Sequence, residues 1–506
     1  MLLEIPRPLS RAVPNRLTMM ATIPVFSKAP QTLLPIGIGL AAYGTVLARG
    51  RALLGDPDVY FHIAAGHWIL AHRFVPHTDV FSYTMSGSPW VADEWGSEVI
   101  FAAVYDHLGW IGLFVLLGVA FAVAMALLSR ALLAFLAPTY AVIGCLTAWG
   151  MCFPSLVVRP HALVFPLAVA WIATLVAARS RDRAPSPFAA LLMLLWANLH
   201  GSFMLGLAFA ALFAGEALFD AGDRAQARRV VIGWGGFGLA SLVAALATPN
   251  GIAGLLFPIG MMRMSFALSL ITEWQSPDFQ RPQPLEIWLM LLLLGALLRG
   301  IRLPVTRIVM LLILLHLALE HVRNVTMLGL LTPLLIAPSL ATQLPHNVEG
   351  SIGGLIKRRL GGRPSPAAAA AAALVCALVF ALATTAWPRG VIAGADRFTP
   401  AAALAAVGPN QIREPVFNDF NFGGFLIFSG IPPFIDGRAD MYGEKFLRRY
   451  AKRDELPGIL SQYHVTWTLL GVDHPDVPLL DHLPGWRRLY ADSVAVVHVR
   501  DTAAQP

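Results

Sequence analysis

The chain has 506 residues, of which 57% are apolar and only 13% charged. A soluble domain carries about 25% charged residues, so a soluble globular protein, a disordered chain and an ordinary nucleic-acid binder are excluded. The formal net charge of +7 is read from where the charges sit, not from their sum. The three cysteines, Cys145, Cys152 and Cys376, all lie in apolar runs, which excludes a disulfide framework and a cysteine zinc site.

Lipid offers no partner to an open backbone group, so a crossing needs about 20 apolar residues in a helix. Apolar runs predict spans near 32–48, 110–129, 131–150, 161–178, 187–199, 202–219, 230–248, 285–299, 306–320, 325–341 and 366–387. The fifth, eighth and ninth are short. No A-x-A site precedes Arg49-Gly50-Arg51, so the first run reads as a membrane anchor and not as a cleaved signal.

Lys and Arg fall unevenly between the two alternating sets of connections. Eighteen lie in the set that begins with Arg7 and Arg11, and seven in the set that includes Arg73, Arg159 and Arg323, leaving out the tail after residue 388. This bias places the N-terminal segment, 1–31, in the cytoplasm. It places the 49–109 loop and the segment from 388 onward outside.

The external connections hold nearly all of the unusual polar residues. The first loop contains Asp56-Pro57-Asp58, Phe61-His62, Gly66-His67-Trp68 and Asp93-Glu94-Trp95. Later turns hold Arg159-Pro160-His161, Asn198-Leu199-His200, Glu273-Trp274 and Glu320-His321-Val322-Arg323. Ionisable groups at a membrane boundary are costly, and they mark function. Several have a plain structural reading as well. Asp56-Pro57 has the form of a helix start, Asp93 that of an N-cap, and Arg159 of a snorkelling side chain. His62 reads as a partner of Asp58 one turn away, and Glu273 as a cap or a partner of Arg281. Tyr60, Phe61, Ala64, Trp68 and Ile69 form the apolar stripe of a helix lying in the interface. Asp56 and Asp58 form an Asp-x-Asp, a short motif that occurs by chance but gains weight from its place after a first crossing.

After residue 388 the pattern turns mixed α/β. Strands are predicted at 414–417, 425–428, 433–436, 465–470 and 494–499, and helices at 444–452 and 457–463. Asp436-Gly437-Arg438-Ala439-Asp440 reads as a turn with an internal ion pair, or else as residues set toward the membrane face.

Asp56-Pro57-Asp58, Phe61-His62, Pro76-His77-Thr78-Asp79, Glu94-Trp95, Arg159-Pro160-His161, Asn198-Leu199-His200-Gly201, Glu273-Trp274, Arg323-Asn324 and Phe434-Ile435-Asp436-Gly437-Arg438 carry a resemblance. They resemble a group of bacterial polytopic membrane proteins, and that group resembles the GT-C class of integral-membrane glycosyltransferases. The resemblance covers most of the chain. Gly96 departs from it, since a larger apolar residue is expected after Glu94-Trp95.

The resemblance implies an α-helical polytopic membrane fold over 32–387, with about eleven crossings, and a small C-terminal α/β domain over 388–506 in the periplasm of a bacterial inner membrane. It implies transfer of a sugar from a polyprenyl-phosphate donor to a glycan, lipid or protein acceptor, with the bilayer as a partner and no nucleic acid. Asp58 or Asp56 is then the general base, assisted by His62. Arg159, His161, His321 and Arg323 would hold the donor phosphate. Asp93, Glu94, His200 and Glu273 would bind substrate. Asp56 and Asp58 would alternatively hold Mg²⁺ or Mn²⁺. A transporter or flippase of a lipid-linked glycan, or a non-catalytic subunit of an envelope polysaccharide system, would use the same membrane body. A transporter predicts an internal repeat, and the first loop has no twin later in the chain.

Overall fold

The structure is a computed structural model and describes residues 33–344 and 397–501. The predicted span 366–387 and the N-terminal segment 1–31 lie outside the described residues. Each of the other ten predicted spans overlaps a helix, and 131–150 takes in the end of one at residue 133 and the start of the next at 138.

The helices at the predicted spans are α1 (Leu34–Arg49), α3 (Trp95–Leu133), α4 (Pro138–Cys152), α5 (Phe165–Arg179), α6 (Ala190–Leu199), α7 (Phe203–Phe219), α8 (Arg224–Leu246), α11 (Pro284–Arg299), α12 (Val305–Glu320) and α13 (Val325–Ala341). Between them sit α2 (Val59–His72) in the first loop, and α9 (Gly251–Met261) and α10 (Ser265–Leu270) ahead of α11. Among the described residues, four helical stretches are long and apolar enough to cross a membrane on their own: Trp95–Leu133, Pro160–Arg179, Arg224–Leu246 and Val322–Ala341. α9 is apolar but 11 residues long, below the length of a crossing, and was not among the predicted spans.

α3 runs 39 residues with one break in the helical dihedrals, at Gly109 (φ 60°). Its outer part, from Trp95, belongs to the first loop, and its inner part is the predicted second span. α1 and α2 both pack along it. The stripe assigned to the lipid interface turns inward instead. Tyr60, Phe61 and Ile69 are buried. Tyr60 packs edge-on against Trp110 of α3 and against Phe425 of the tail domain. Protein, not lipid, covers that face.

A cluster of charges ties three helices together at the end of the bundle opposite the first loop. Arg307 of α12 donates from Nε to Glu216 of α7 (3.2 Å) and lies 4.3 Å over the Phe213 ring. Arg179 of α5 pairs with Asp220 and approaches Glu216 at 3.9 Å. The sequence shows only arginines on this side of the membrane at first sight, because their partners are single acids inside or at the end of an apolar helix.

The tail domain holds a four-stranded sheet in the order β1-β2-β4-β3: β1 (Val416–Asn418), β2 (Trp467–Gly471), β3 (Trp486–Ala491) and β4 (Ala495–Arg500). β1 runs parallel to β2, and the other pairs are antiparallel. Its helices are α14 (Ala401–Ala406), α15 (Gly423–Phe428), α16 (Ala439–Tyr450), α17 (Leu456–Gln462) and α18 (Val477–His482). Two predicted strands are corrected. Residues 425–428 form α15, and 433–436 are an irregular segment. α15 is apolar on all sides because it is wedged between three clusters. Phe425 faces the membrane core, Leu426 the sheet, and Ile427 the Phe61–Trp90 cluster of the first loop. β3 is an edge strand with mostly exposed residues, and the hydrophobic pattern passes over it.

The tail domain is stitched to the first loop. Tyr83 donates its hydroxyl to the Val416 carbonyl (2.8 Å) and Thr84 its hydroxyl to the Phe434 carbonyl (2.7 Å). Arg438 is the main bridge. Its Nη1 bonds Asp79 of the loop at 2.6 Å, and its Nε and Nη2 form a fork with Asp436 at 2.8 and 2.7 Å. The Tyr442 hydroxyl donates to the same Asp436. The guanidinium sits among the rings of Phe61, Phe81 and Trp90, at 4.9 to 5.3 Å. The internal ion pair read from the Asp436–Asp440 turn is thus present, and it also reaches across to the loop.

Candidate active site at the seam of loop, bundle and tail

A cavity of about 510 Å³ opens where the first loop, the helix ends beside it and the tail domain meet. Asp58, His62, Asp93, Glu94, Arg159, His161, His200, Glu273, His321 and Arg323 all line it. Asp56 stands directly behind, buried, and holds Arg159. Residues from five separate connections therefore gather at one place.

Arg159 is the centre of the polar end. It stands in extended backbone just before the turn that leads into α5, where Pro160 starts the helical path. Its Nε pairs with Asp56, its Nη2 with Asp58, and its Nη1 with Glu273. One planar guanidinium thus serves three carboxylates, a geometry that a lysine cannot reproduce. Burial works against the Arg159 charge, but Asp56 and Asp58 outweigh it and raise its pKa further above the ordinary value. Asp56 does not cap α2. It accepts the Asp58 backbone N–H at 2.8 Å in a local turn, and the helix begins at Val59. The oxygen of Asp58 not held by Arg159 lies against Gly437 of the tail, where a Cβ would stand 2.0 Å from it.

Glu273 does not pair with Arg281. It joins Arg159 to Arg323, whose Nη1 lies 3.2 Å from it. Arg323 is stacked over the Trp274 ring at 4.3 Å, and His321 Nδ1 meets the Trp274 carbonyl at 2.5 Å. The Glu273-Trp274 turn is thereby fastened to the turn between α12 and α13.

A second group lies on the α3 side. His62 does not pair with the Asp58 side chain; its ring faces Glu98 at 3.4 Å and Glu94 at 3.6 Å. Glu94 also meets His200 Nε2 at 3.2 Å. His200 Nδ1 accepts the Ser202 backbone N–H at 3.0 Å, so the proton of the neutral ring sits on Nε2 and points to Glu94. Burial, reinforced by Arg323, holds His200 well below the ordinary histidine range. Burial pushes Glu94 up to about 8, with His62 pulling against it and Asp93 adding to it. Asp93 rises to about 8 through burial, then Asp440 and Glu98. Asp440 rises to about 6 through burial, with Arg438 opposing. Asp93 is not an N-cap, since α3 begins at Trp95 after Glu94.

The second reading of the Asp436–Asp440 stretch, as residues set toward the membrane face, pointed to Arg438 and Asp440, which line the wall; Glu98 was missed as a member of the His62 group. Glu98 had a signal, its position one turn after Glu94. Asp440 had only its turn context. The apolar wall was also missed: Leu205 and Ala208 of α7, Phe257 and Met261 of α9, and Ile313 and Leu317 of α12. Gly96 is explained by close approach, because a Cβ there would stand 2.5 Å from the Asn198 carbonyl oxygen.

Asp56 and Asp58 fit a metal poorly. Each already spends an oxygen on Arg159, and no group of three His, Cys, Asp or Glu side chains suited to a metal ion occurs among the described residues.

Neither a protein-family model nor a curated protein matches the chain. Solved structures do. The archaeal oligosaccharyltransferase AglB from Archaeoglobus fulgidus, in complex with an inhibitory peptide and a dolichol-phosphate, superposes with a TM-score of 0.54 at 10% identity, over 93% of this chain and 75% of that one. ArnT from Cupriavidus metallidurans, bound to undecaprenyl phosphate, superposes with a TM-score of 0.51 at 12% identity, over 94% and 99%. The chain has the fold of these GT-C proteins, a helical membrane body with a small sheet domain at its C-terminus.

Proposed function

We propose that this protein is a membrane glycosyltransferase that takes a sugar from a polyprenyl-phosphate donor and passes it to an envelope glycan, lipid or protein on the periplasmic side of a bacterial inner membrane. The observation that carries the reading is the two-ended cavity. Its polar end offers two guanidiniums, Arg159 and Arg323, and its other wall is apolar and built from α7, α9 and α12. A phosphate on a long hydrocarbon chain matches both ends at once. The two solved neighbours hold dolichol-phosphate and undecaprenyl phosphate.

In this reading Arg159 and Arg323 neutralise the phosphate as it leaves, with His161 and His321 beside them. Asp58 takes the proton of the acceptor hydroxyl through its cavity-facing oxygen, while the new bond forms at the anomeric carbon and the bond to the phosphate oxygen breaks. Asp56 keeps Arg159 in place. His62, Asp93, Glu94 and His200 line the region where sugar and acceptor meet. No step is routed through a metal.

The test is transfer by the purified chain from undecaprenyl-phosphate sugars, with Asp58→Asn alongside. Loss of transfer with retained undecaprenyl phosphate binding supports the base. Full transfer by the variant removes it. Lipid-linked glycan crossing vesicles without transfer would favour a flippase. Cysteine labelling that finds residues 56–94 on the cytoplasmic side would overturn the sidedness.

A further inference from the structure

The carboxylate of Glu273 bridges two guanidiniums. One oxygen meets Nη1 of Arg159 and the other lies 3.2 Å from Nη1 of Arg323. That is the arrangement a phosphate takes between two arginines, with two oxygens shared by two forks. The side chain that fills it belongs to the protein itself. We infer that Glu273 is a placeholder for the donor phosphate: it keeps Arg159 and Arg323 aligned while the site is empty and swings aside when the lipid phosphate arrives.

The inference rests on the donor reading above and adds regulation of that site. Without Glu273, Arg159 would keep Asp56 and Asp58, but Arg323 would lose the one carboxylate that the described residues set within ion-pair distance of it, beside a second buried guanidinium. Glu273 removes that cost before binding. The exchange then replaces one carboxylate by one phosphate and leaves both guanidiniums where they were, which limits the ordering cost of binding. The price is affinity, since the phosphate must displace an anion already bound.

The surroundings suit a side-chain movement and not a movement of the whole segment. The Gln275 carbonyl accepts the Val322 N–H at 2.9 Å, and His321 holds the Trp274 carbonyl. At the other end, Glu444 of the tail accepts the Phe266 and Ala267 N–H groups at 2.7 and 3.1 Å. The backbone on both sides of Glu273 is therefore anchored.

The experiment is a binding titration of the full-length protein in nanodiscs with undecaprenyl phosphate, and separately with inorganic phosphate. Glu273→Gln keeps the shape and removes the charge, and is expected to bind undecaprenyl phosphate at least fivefold more tightly than the wild type. Inorganic phosphate should gain by the same factor if the headgroup alone is recognised, and a gain confined to the lipid would assign the effect to the chain-binding wall and overturn the placeholder. Glu273→Asp, one methylene shorter, is expected in between, and serves if the glutamine variant does not fold. Unchanged or weaker binding in both variants, with wild-type binding intact, overturns the placeholder and leaves the donor reading standing. No binding of undecaprenyl phosphate to the wild type removes both.

Discussion

Replacing Arg438 by methionine removes a charge that two buried acids depend on. The Asp79 and Asp436 side chains are both fully buried, and Arg438 itself is 4% exposed. Methionine keeps much of the stem's volume among Phe61, Phe81 and Trp90, so the loss is mainly electrostatic. Asp79 retains its bonds from the Ser82 hydroxyl and the Phe81 N–H, and Asp436 retains the Tyr442 hydroxyl. Those donors soften the loss but do not supply a positive charge. Removing one partner of a buried ion pair costs about 3–5 kcal/mol. The bridge joins loop to tail, so the cost falls on their seam. Thermal unfolding of the solubilised protein, together with limited proteolysis of the tail, reads it. The expected result is an earlier transition and faster cleavage after residue 400. Adding Asp79→Asn to the variant should recover part of the loss, since it removes one of the two stranded charges. A methionine variant as stable as the wild type would refute the reasoning, because the seam would then not depend on the pair.

Other outcomes follow from the same geometry. Gly437→Ala sets a methyl group against the free Asp58 oxygen and is expected to lower transfer at least tenfold while tail folding survives, read by turnover beside the proteolysis pattern. Gly66→Ala meets the Glu98 carbonyl oxygen at 2.0 Å, so it should separate α2 from α3 and lower the yield of folded protein. Asp93 and Glu94 titrate near 8 in the fold and near 4 in an unfolded chain. Their contribution to stability is therefore complete below about pH 4 and is lost as the pH rises toward 8, and Glu94→Gln should flatten that slope. Undecaprenyl phosphate affinity should fall above pH 8 for the same reason, as two carboxylates gain charge beside the phosphate cradle. Excess chelator should leave undecaprenyl phosphate binding unchanged, and a loss would restore the metal reading of Asp56 and Asp58.

The membrane body is legible in the sequence because a bilayer demands long apolar runs and leaves few other solutions. The polar clusters at the first-loop end of the bundle are legible because charges at a membrane boundary are costly and stand out singly. What escapes is whatever depends on the chain folding back on itself. Four apolar residues at 425–428 look the same in a strand and in a helix, and only the three clusters around them decide. α9 is too short to register as a crossing. Tyr60, Phe61 and Ile69 look lipid-facing until the tail is known to cover them. Thr84 and Phe434 touch across 350 positions, and no local pattern reports such a contact. Asp440 lies beside Asp93 for the same reason. The partners of Arg159 were all named in advance, but their pairing was not, because spacing along a chain does not say which acid a guanidinium will choose.

The charge cluster at the far end of the bundle sets the direction in which the helices can part. α7 and α12 line the cavity with Leu205, Ala208, Ile313 and Leu317, and the same two helices are pinned by Glu216 and Arg307 about two to three turns away. A pair fastened at one end opens like a clothes peg. Any lateral gap between them widens toward the cavity and stays shut at the pin. Under the proposed donor reading, a hydrocarbon tail that enters between these two helices would do so at the cavity end.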